Sequence, residues 1–178
     1  MADWPAWATE RVHVRPADPR WQQLGEQLRL VLDVALSQWL VVPVEHVGST
    51  AVPGLTAKPV LDLQAAVADL GCAPAVAEAL AGRGWHLVPA ELDARPWRRF
   101  LVRVHGDERV AHLHLLQPDS KRWHEQLAFR DALREDRGLV RRYAALKAQL
   151  AGEYADDLEA YSAAKTGFVR AALRRCPT

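Results

Sequence analysis

Only two of the 178 residues are cysteine, Cys72 and Cys176, and only one is methionine. Two cysteines, one of them in a tail, make neither a zinc cluster nor a disulfide framework. No apolar run approaches the roughly 20 residues of a membrane span. Residues 1–11 carry Trp4, Pro5 and Trp7 but lack the apolar core of a secretory leader. A cytoplasmic protein without a membrane partner is expected. Internal repeats, low-complexity tracts and interdomain linkers are also missing. The chain is therefore expected to form one domain over residues 1–178, with 1–11 as an N-terminal arm. Charge of one sign is lacking too, since 23 Lys/Arg stand against 22 Asp/Glu. A dedicated nucleic-acid binder would be far more basic. The Gly-x-x-x-x-Gly-Lys-Ser/Thr order of a P-loop is absent.

What is present is an ordinary globular composition, 49% apolar and 25% charged, with seven tryptophans. The charge is unevenly placed. Residues 1–97 carry 7 Lys/Arg against 11 Asp/Glu, and residues 98–178 carry 16 against 11. The second half could show a basic face to a phosphorylated ligand, or only solvated helix surfaces. Asp18 and Pro19 predict the start of a helix whose apolar stripe is Trp21, Leu24, Leu28, Val31, Leu32, Ala35 and Leu36, ended by Pro43. Val44–Val47 is a short apolar piece. Pro59–Val67 reads as a strand with Val60, Asp62 and Gln64 on one face. A helix over Pro74–Ala81 is closed by Gly82 and Gly84. Strands follow at Trp85–Val88, Phe100–Val104 and Val110–Leu116, the last two as a hairpin. Helices are predicted at Ser120–Arg134, Gly138–Ala151 and Ala155–Leu173. The order points to an α/β (α+β) domain with a mixed sheet of about 4–6 strands and a helical C-terminal third.

The segment that carries chemistry runs from Glu45 to Asp62, EHVGSTAVPGLTAKPVLD. Gly48 permits close backbone approach. Ser49 and Thr50 offer hydroxyls and N–H groups in a turn, suited to phosphate oxygens. Lys58 adds a point charge, and Asp62 is a hard oxygen ligand for Mg²⁺. The same pattern also suits a plain loop. His46 could act as a general base or orient the turn by a hydrogen bond. His112 and His114, two apart on a strand, share a face. They could complete a metal site with Asp62, favouring Zn²⁺, Mn²⁺ or Fe²⁺, or be satisfied polar groups. Arg98, Arg99 and Arg103 could bind an anion or block aggregation on an edge strand. Arg130 could face a ligand or pair with Asp131. Lys165 could contact phosphate or lie over Tyr161.

The Glu45–Asp62 segment resembles the signature of the GrpB family. So do HLHLL at 112–116, LAFRDALR at 127–134, YAALK at 143–147 and YSAAKTGF at 161–168. Together these span Val12 to Arg170 in the family's order. The resemblance implies a nucleotidyltransferase-like fold. In that superfamily a Gly-Ser turn holds nucleotide phosphates, and an Asp-x-Asp/Glu pair with a third carboxylate binds divalent metal. Here it implies Gly48 and Ser49 for phosphate and Asp62 for metal. The second carboxylate position is Gln64, a poorer ligand because it lacks charge. The implied cofactors are a nucleoside triphosphate and a divalent metal, Mg²⁺ or Mn²⁺ ahead of Zn²⁺. The expected partner is a small phosphorylated ligand. Three functions are compatible with these residues. One is a metal-dependent nucleotidyl or phosphoryl transferase, in which Lys58 or Arg130 offsets charge. Another is a non-catalytic nucleotide- or anion-binding module. The third is a metal-dependent hydrolase built on Asp62, His112 and His114.

Overall fold

The computed structural model describes residues 13–174. The N-terminal arm with Trp4 and Trp7, and Cys176, lie outside them. Helix α1 (Arg20–Ala35) follows Asp18, whose carboxylate accepts from the Arg20 backbone N–H at 2.9 Å. Its buried face is narrower than the apolar spacing predicts. Trp21, Gly25, Leu28 and Leu32 are buried, whereas Leu24 and Val31 are each 46% exposed. Gly25 takes a place in the stripe because an aromatic side chain lies against it, as described below.

The helix stops at Ala35 and strand β1 (Leu40–Val47) begins well before Pro43. Pro43 therefore does not end the helix but sits within the strand. β1 is an edge of the sheet, and its register slips on both sides of Val42. A residue without an N–H is tolerated at such an edge. β2 (Leu61–Val67), helix α2 (Ala73–Leu80) and β3 (Trp85–Leu87) follow. A one-turn helix α3 (Ala90–Asp93), which no periodicity announces, is closed by Ala94 at φ +50°. β4 (Arg99–His105) and β5 (Glu108–Leu116) form the expected hairpin, with Gly106 at φ +60° in the turn.

The sheet order is β1-β2-β5-β4-β3. β2 and β5 are parallel and the other pairs antiparallel, which gives a mixed five-stranded sheet. β4 is thus interior, so the edge-strand role considered for Arg99 and Arg103 does not apply. Leu63, Ala65, Leu101 and Leu113 point to one face, where α1 and α2 cover them with Leu28, Leu32, Val76 and Leu80. The opposite face carries Asp62 and Gln64 beside His112 and His114, because strand partners share a side.

Helices α4 (Lys121–Glu135) and α5 (Arg137–Glu153) are capped by the side chains of Ser120 and Asp136. The long final helix expected from sequence is two helices, α6 (Leu158–Ala164) and α7 (Thr166–Leu173), broken at Lys165. The break lets α7 return to pack on α4. A second core of Val52, Leu55, Leu133, Leu139, Tyr143 and Ala172 joins these helices to the loop after the Gly-Ser turn. The fold is α+β. No described helix is long and apolar enough to cross a membrane.

Candidate functional site

The site begins with a steric requirement. Gly48 has φ +71° and ψ −169°, a region essentially confined to glycine. A Cβ there would lie 2.5 Å from Asp62 Oδ2 and 2.9 Å from Asp62 Cβ. The glycine is what lets the first carboxylate of β2 rest against the turn. Gly48, Ser49, Lys58, Asp62, His112 and Lys165 all line one cavity of about 1470 Å³.

Ser49 Oγ accepts a hydrogen bond from Lys147 Nζ at 3.0 Å. Lys147 Nζ donates to the Thr56 carbonyl as well. Lys147 is 2% exposed. Burial, helped by the charge of Lys165, pushes its ammonium down to about 7. Lys165 is pushed down to about 8 by burial, and its Nζ lies 3.9 Å from the Tyr161 ring centroid, the cation–π arrangement. Lys147 was not among the residues singled out from sequence. The signal was there: Leu139, Tyr143, Lys147 and Leu150 recur at helical spacing, so the lysine stands within the buried stripe of α5.

Thr50 is 1% exposed and turns inward. Its Oγ1 donates to the Val60 carbonyl at 3.3 Å and lies 3.0 Å from His46 Nε2. His46 pairs with Leu63, and so projects to the α1 face, away from Asp62. Burial pushes its pKa down to about 4, leaving a neutral ring with Nε2–H toward the threonine. His46 opens on a separate cleft of about 190 Å³ and orients the turn. Arg130 borders both spaces, but its donors are spent on protein groups. Nη1 reaches Glu45 Oε2 at 2.6 Å and the His46 carbonyl at 3.0 Å, and Nε reaches Asp131 at 2.8 Å. Arg134 Nε holds the Ala51 carbonyl at 3.1 Å. Helix α4 thus clamps β1 and the turn.

On the sheet, His112 Nδ1 stands 2.9 Å from Asp62 Oδ1, and His114 Nε2 stands 3.9 Å away, too far for a hydrogen bond. Burial alone would raise the Asp62 pKa. The hydrogen bond from His112 and the nearness of His114 outweigh it and hold the carboxyl below its usual range. An ionised carboxylate only accepts, so His112 carries its proton on Nδ1. Its Nε2 is buried with no hydrogen-bond partner among the described residues. Burial pushes His114 down to about 4.

These donors fit a divalent cation. One ligand atom from each of Asp62, His112 and His114 lies within 4.8 Å of the others. The 2.9 Å between Asp62 Oδ1 and His112 Nδ1 is close to the roughly 3.0 Å that separates neighbouring ligands, each about 2.1 Å from one ion. Gln64 does not join them. It is fully buried, its Nε2 donates to the Trp123 carbonyl at 3.3 Å, and its Oε1 has no partner among the described residues. Helix α4 roofs over the position where a second carboxylate would stand.

A Gly-Ser turn against a strand carboxylate, on a mixed sheet covered by helices, defines the nucleotidyltransferase-like class of fold. The solved structure of Cid1 in complex with its short product ApU shares it, with a TM-score of 0.54 at 13% identity over 85% of this chain and 48% of that one. Residues 11–175 match the family described as GrpB protein, and the chain belongs to that family. A UPF0157 protein of Streptomyces coelicolor is 36% identical over 159 residues, 89% of this chain and 80% of that protein. The crystal structure of the conserved protein GrpB from Enterococcus faecalis has a TM-score of 0.77 at 28% identity, covering 91% of this chain and 95% of that one.

Proposed function

We propose that this chain binds a nucleoside triphosphate or a comparable polyphosphate with a divalent metal, and transfers its nucleotidyl or phosphoryl group. The observation that carries this reading is the shared cavity. Gly48 brings the Asp62 carboxylate against the turn whose Ser49 is hydrogen-bonded to Lys147. An anion cradle and a cation ligand therefore open on one space. The lining includes ten Lys/Arg against four Asp/Glu, which favours a ligand of several negative charges. Lys147 and Lys165 are cations held short of full charge by burial, and a phosphate chain restores their charge. Ser49 would hold phosphate oxygens, while Asp62 and His112 would hold the metal. The metal would neutralise developing charge on the phosphoryl oxygens. Catalysis by this chain's own residues would be positioning and electrostatics.

One observation favours a second reading, a binding module without turnover. Gln64 sits under Trp123 where the superfamily pattern has its second carboxylate, so a two-metal clamp has one protein ligand fewer.

Thermal melts with each common nucleoside triphosphate, with and without Mn²⁺ or Mg²⁺, test the proposal. A metal-dependent rise in melting temperature is expected, lost in Asp62→Ala while the unliganded melt is retained. Stabilisation that ignores both metal and Asp62, with no release of pyrophosphate or phosphate, would leave the binding module standing. No stabilisation by any triphosphate would refute both.

A further inference from the structure

The trio Asp62, His112 and His114 has the donor set that zinc favours, two imidazoles and a carboxylate. The hydrogen bonds around His114 work against that closure. Its Nδ1 lies 2.7 Å from Arg98 Nη1. A guanidinium can only donate, so Nδ1 is the acceptor and the ring proton is on Nε2. Nε2 is the atom that faces Asp62. In this tautomer His114 turns an N–H toward the carboxylate and has no lone pair for an ion there. To ligate a metal through Nε2 the proton would have to move to Nδ1, where it would meet an Arg98 N–H, donor against donor.

Neither partner is loose. Phe100 stacks on the His114 ring at 5.0 Å between centroids and 23° between planes. The Arg98 guanidinium lies 4.3 Å from the centroid of the same phenyl ring. Arg98 is fixed in turn by Asp93, which is 7% exposed, through Nε to Oδ2 at 2.8 Å and Nη2 to Oδ1. Asp93 belongs to the one-turn helix α3, so the short element outside the sheet sets the proton position of a ring inside the cavity.

We propose that Arg98 is a metal-specificity residue: by fixing His114 with its proton on Nε2, it withholds the third protein ligand and keeps the site from closing on zinc. Asp62 and His112 remain for Mn²⁺ or Mg²⁺, which take their other ligands from water and phosphate oxygens; unlike His114, His112 can free its Nδ1 lone pair by moving the proton to Nε2, which faces no opposing donor among the described residues. Zinc held tightly by protein ordinarily needs three or four side chains. The inference rests on the metal-binding half of the reading above and not on the nucleotide.

The first test needs no variant. Nitrogen-15 NMR of histidine-labelled wild-type protein without metal distinguishes the two tautomers, and the expected result for His114 is protonated Nε2 with unprotonated Nδ1. Zn²⁺ is then titrated against a chromogenic chelator. Arg98→Met should bind Zn²⁺ about 10- to 100-fold tighter than wild type, the range typical of groups that orient a metal ligand. Adding His114→Ala should remove the gain. Asp93→Asn is combined with Arg98→Met, so that no buried carboxylate is left unpaired and poor folding does not mask the effect. A wild-type His114 protonated on Nδ1, unchanged zinc affinity in the Arg98 variants, or tight wild-type zinc binding lost in His114→Ala would each overturn the inference. Absence of Mn²⁺ and Mg²⁺ binding in wild type with the expected tautomer present would instead count against the metal-dependent function.

Discussion

Replacing Lys147 with methionine should make the protein more stable and unable to hold the proposed anion. Lys147 is 2% exposed, and burial pushes its pKa from the ordinary 10.5 to about 7. Each pKa unit is about 1.4 kcal/mol, so keeping this ammonium charged in the fold costs about 4–5 kcal/mol at and below pH 7. The folded pKa lies below the unfolded one, so the unfolded chain binds the extra proton between the two values. Wild-type stability therefore rises with pH across about 7 to 10.5, and the penalty is complete below that window. Methionine fills a similar volume without the charge. It gives up the hydrogen bonds to Ser49 and the Thr56 carbonyl, which offsets about 2–3 kcal/mol. A net gain of about 2 kcal/mol at pH 7 corresponds to about 4–8 °C in melting temperature for a domain of this size. Calorimetry of both proteins from about pH 6 to 10 reads this directly. The advantage of Lys147→Met should be largest at the acid end, shrink as pH rises and reverse near pH 10. Triphosphate-induced stabilisation should vanish in the variant throughout. A Lys147→Met protein less stable than wild type at pH 7 would refute the reasoning, because it would mean that the ammonium is charged and structurally satisfied.

Two glycines give sharper steric predictions. Gly48→Ala places a Cβ 2.5 Å from Asp62 Oδ2 at positive φ; a loss of about 2–4 kcal/mol is expected, with metal-dependent stabilisation lost, and chemical denaturation with ligand titration checks both. Gly25→Ala drives a methyl to within 2.1 Å of His46 Nδ1. Displacing that ring should break its contact with Thr50 and lower stability by about 1–3 kcal/mol, and an unchanged denaturation midpoint would show that His46 does not support the turn.

Much of this arrangement could be read from the chain because its signals are local. Gly48, Ser49 and Asp62 lie within fifteen residues of one another, and alternation along the strand placed Asp62 with Gln64. The hairpin is equally short-range. What escaped was set by distant contacts. Gln64 has the spacing of a metal ligand, yet Trp123 from α4 covers it. His46 has the chemistry of a base, yet its strand partner turns it to the wrong face. Arg130 looks available on its helix until Glu45 is brought beneath it. The break at Lys165 has no Pro to announce it, and α7 beyond it packs on α4. Lys147 was hidden because helical spacing marks a buried stripe without saying that a lysine within it is serving a turn 98 residues away.

That separation has a consequence for how the chain matures. During synthesis the Gly-Ser turn and the strand carboxylate emerge long before α5, because Lys147 follows Ser49 by 98 residues. A ligand held by both halves recognises finished molecules and ignores partial ones. By mass action it then draws the last docking step to completion. On the proposed function, a polyphosphate would act as a late folding ligand, and protease resistance conferred by it should appear in the full chain but not in a fragment ending before Lys147.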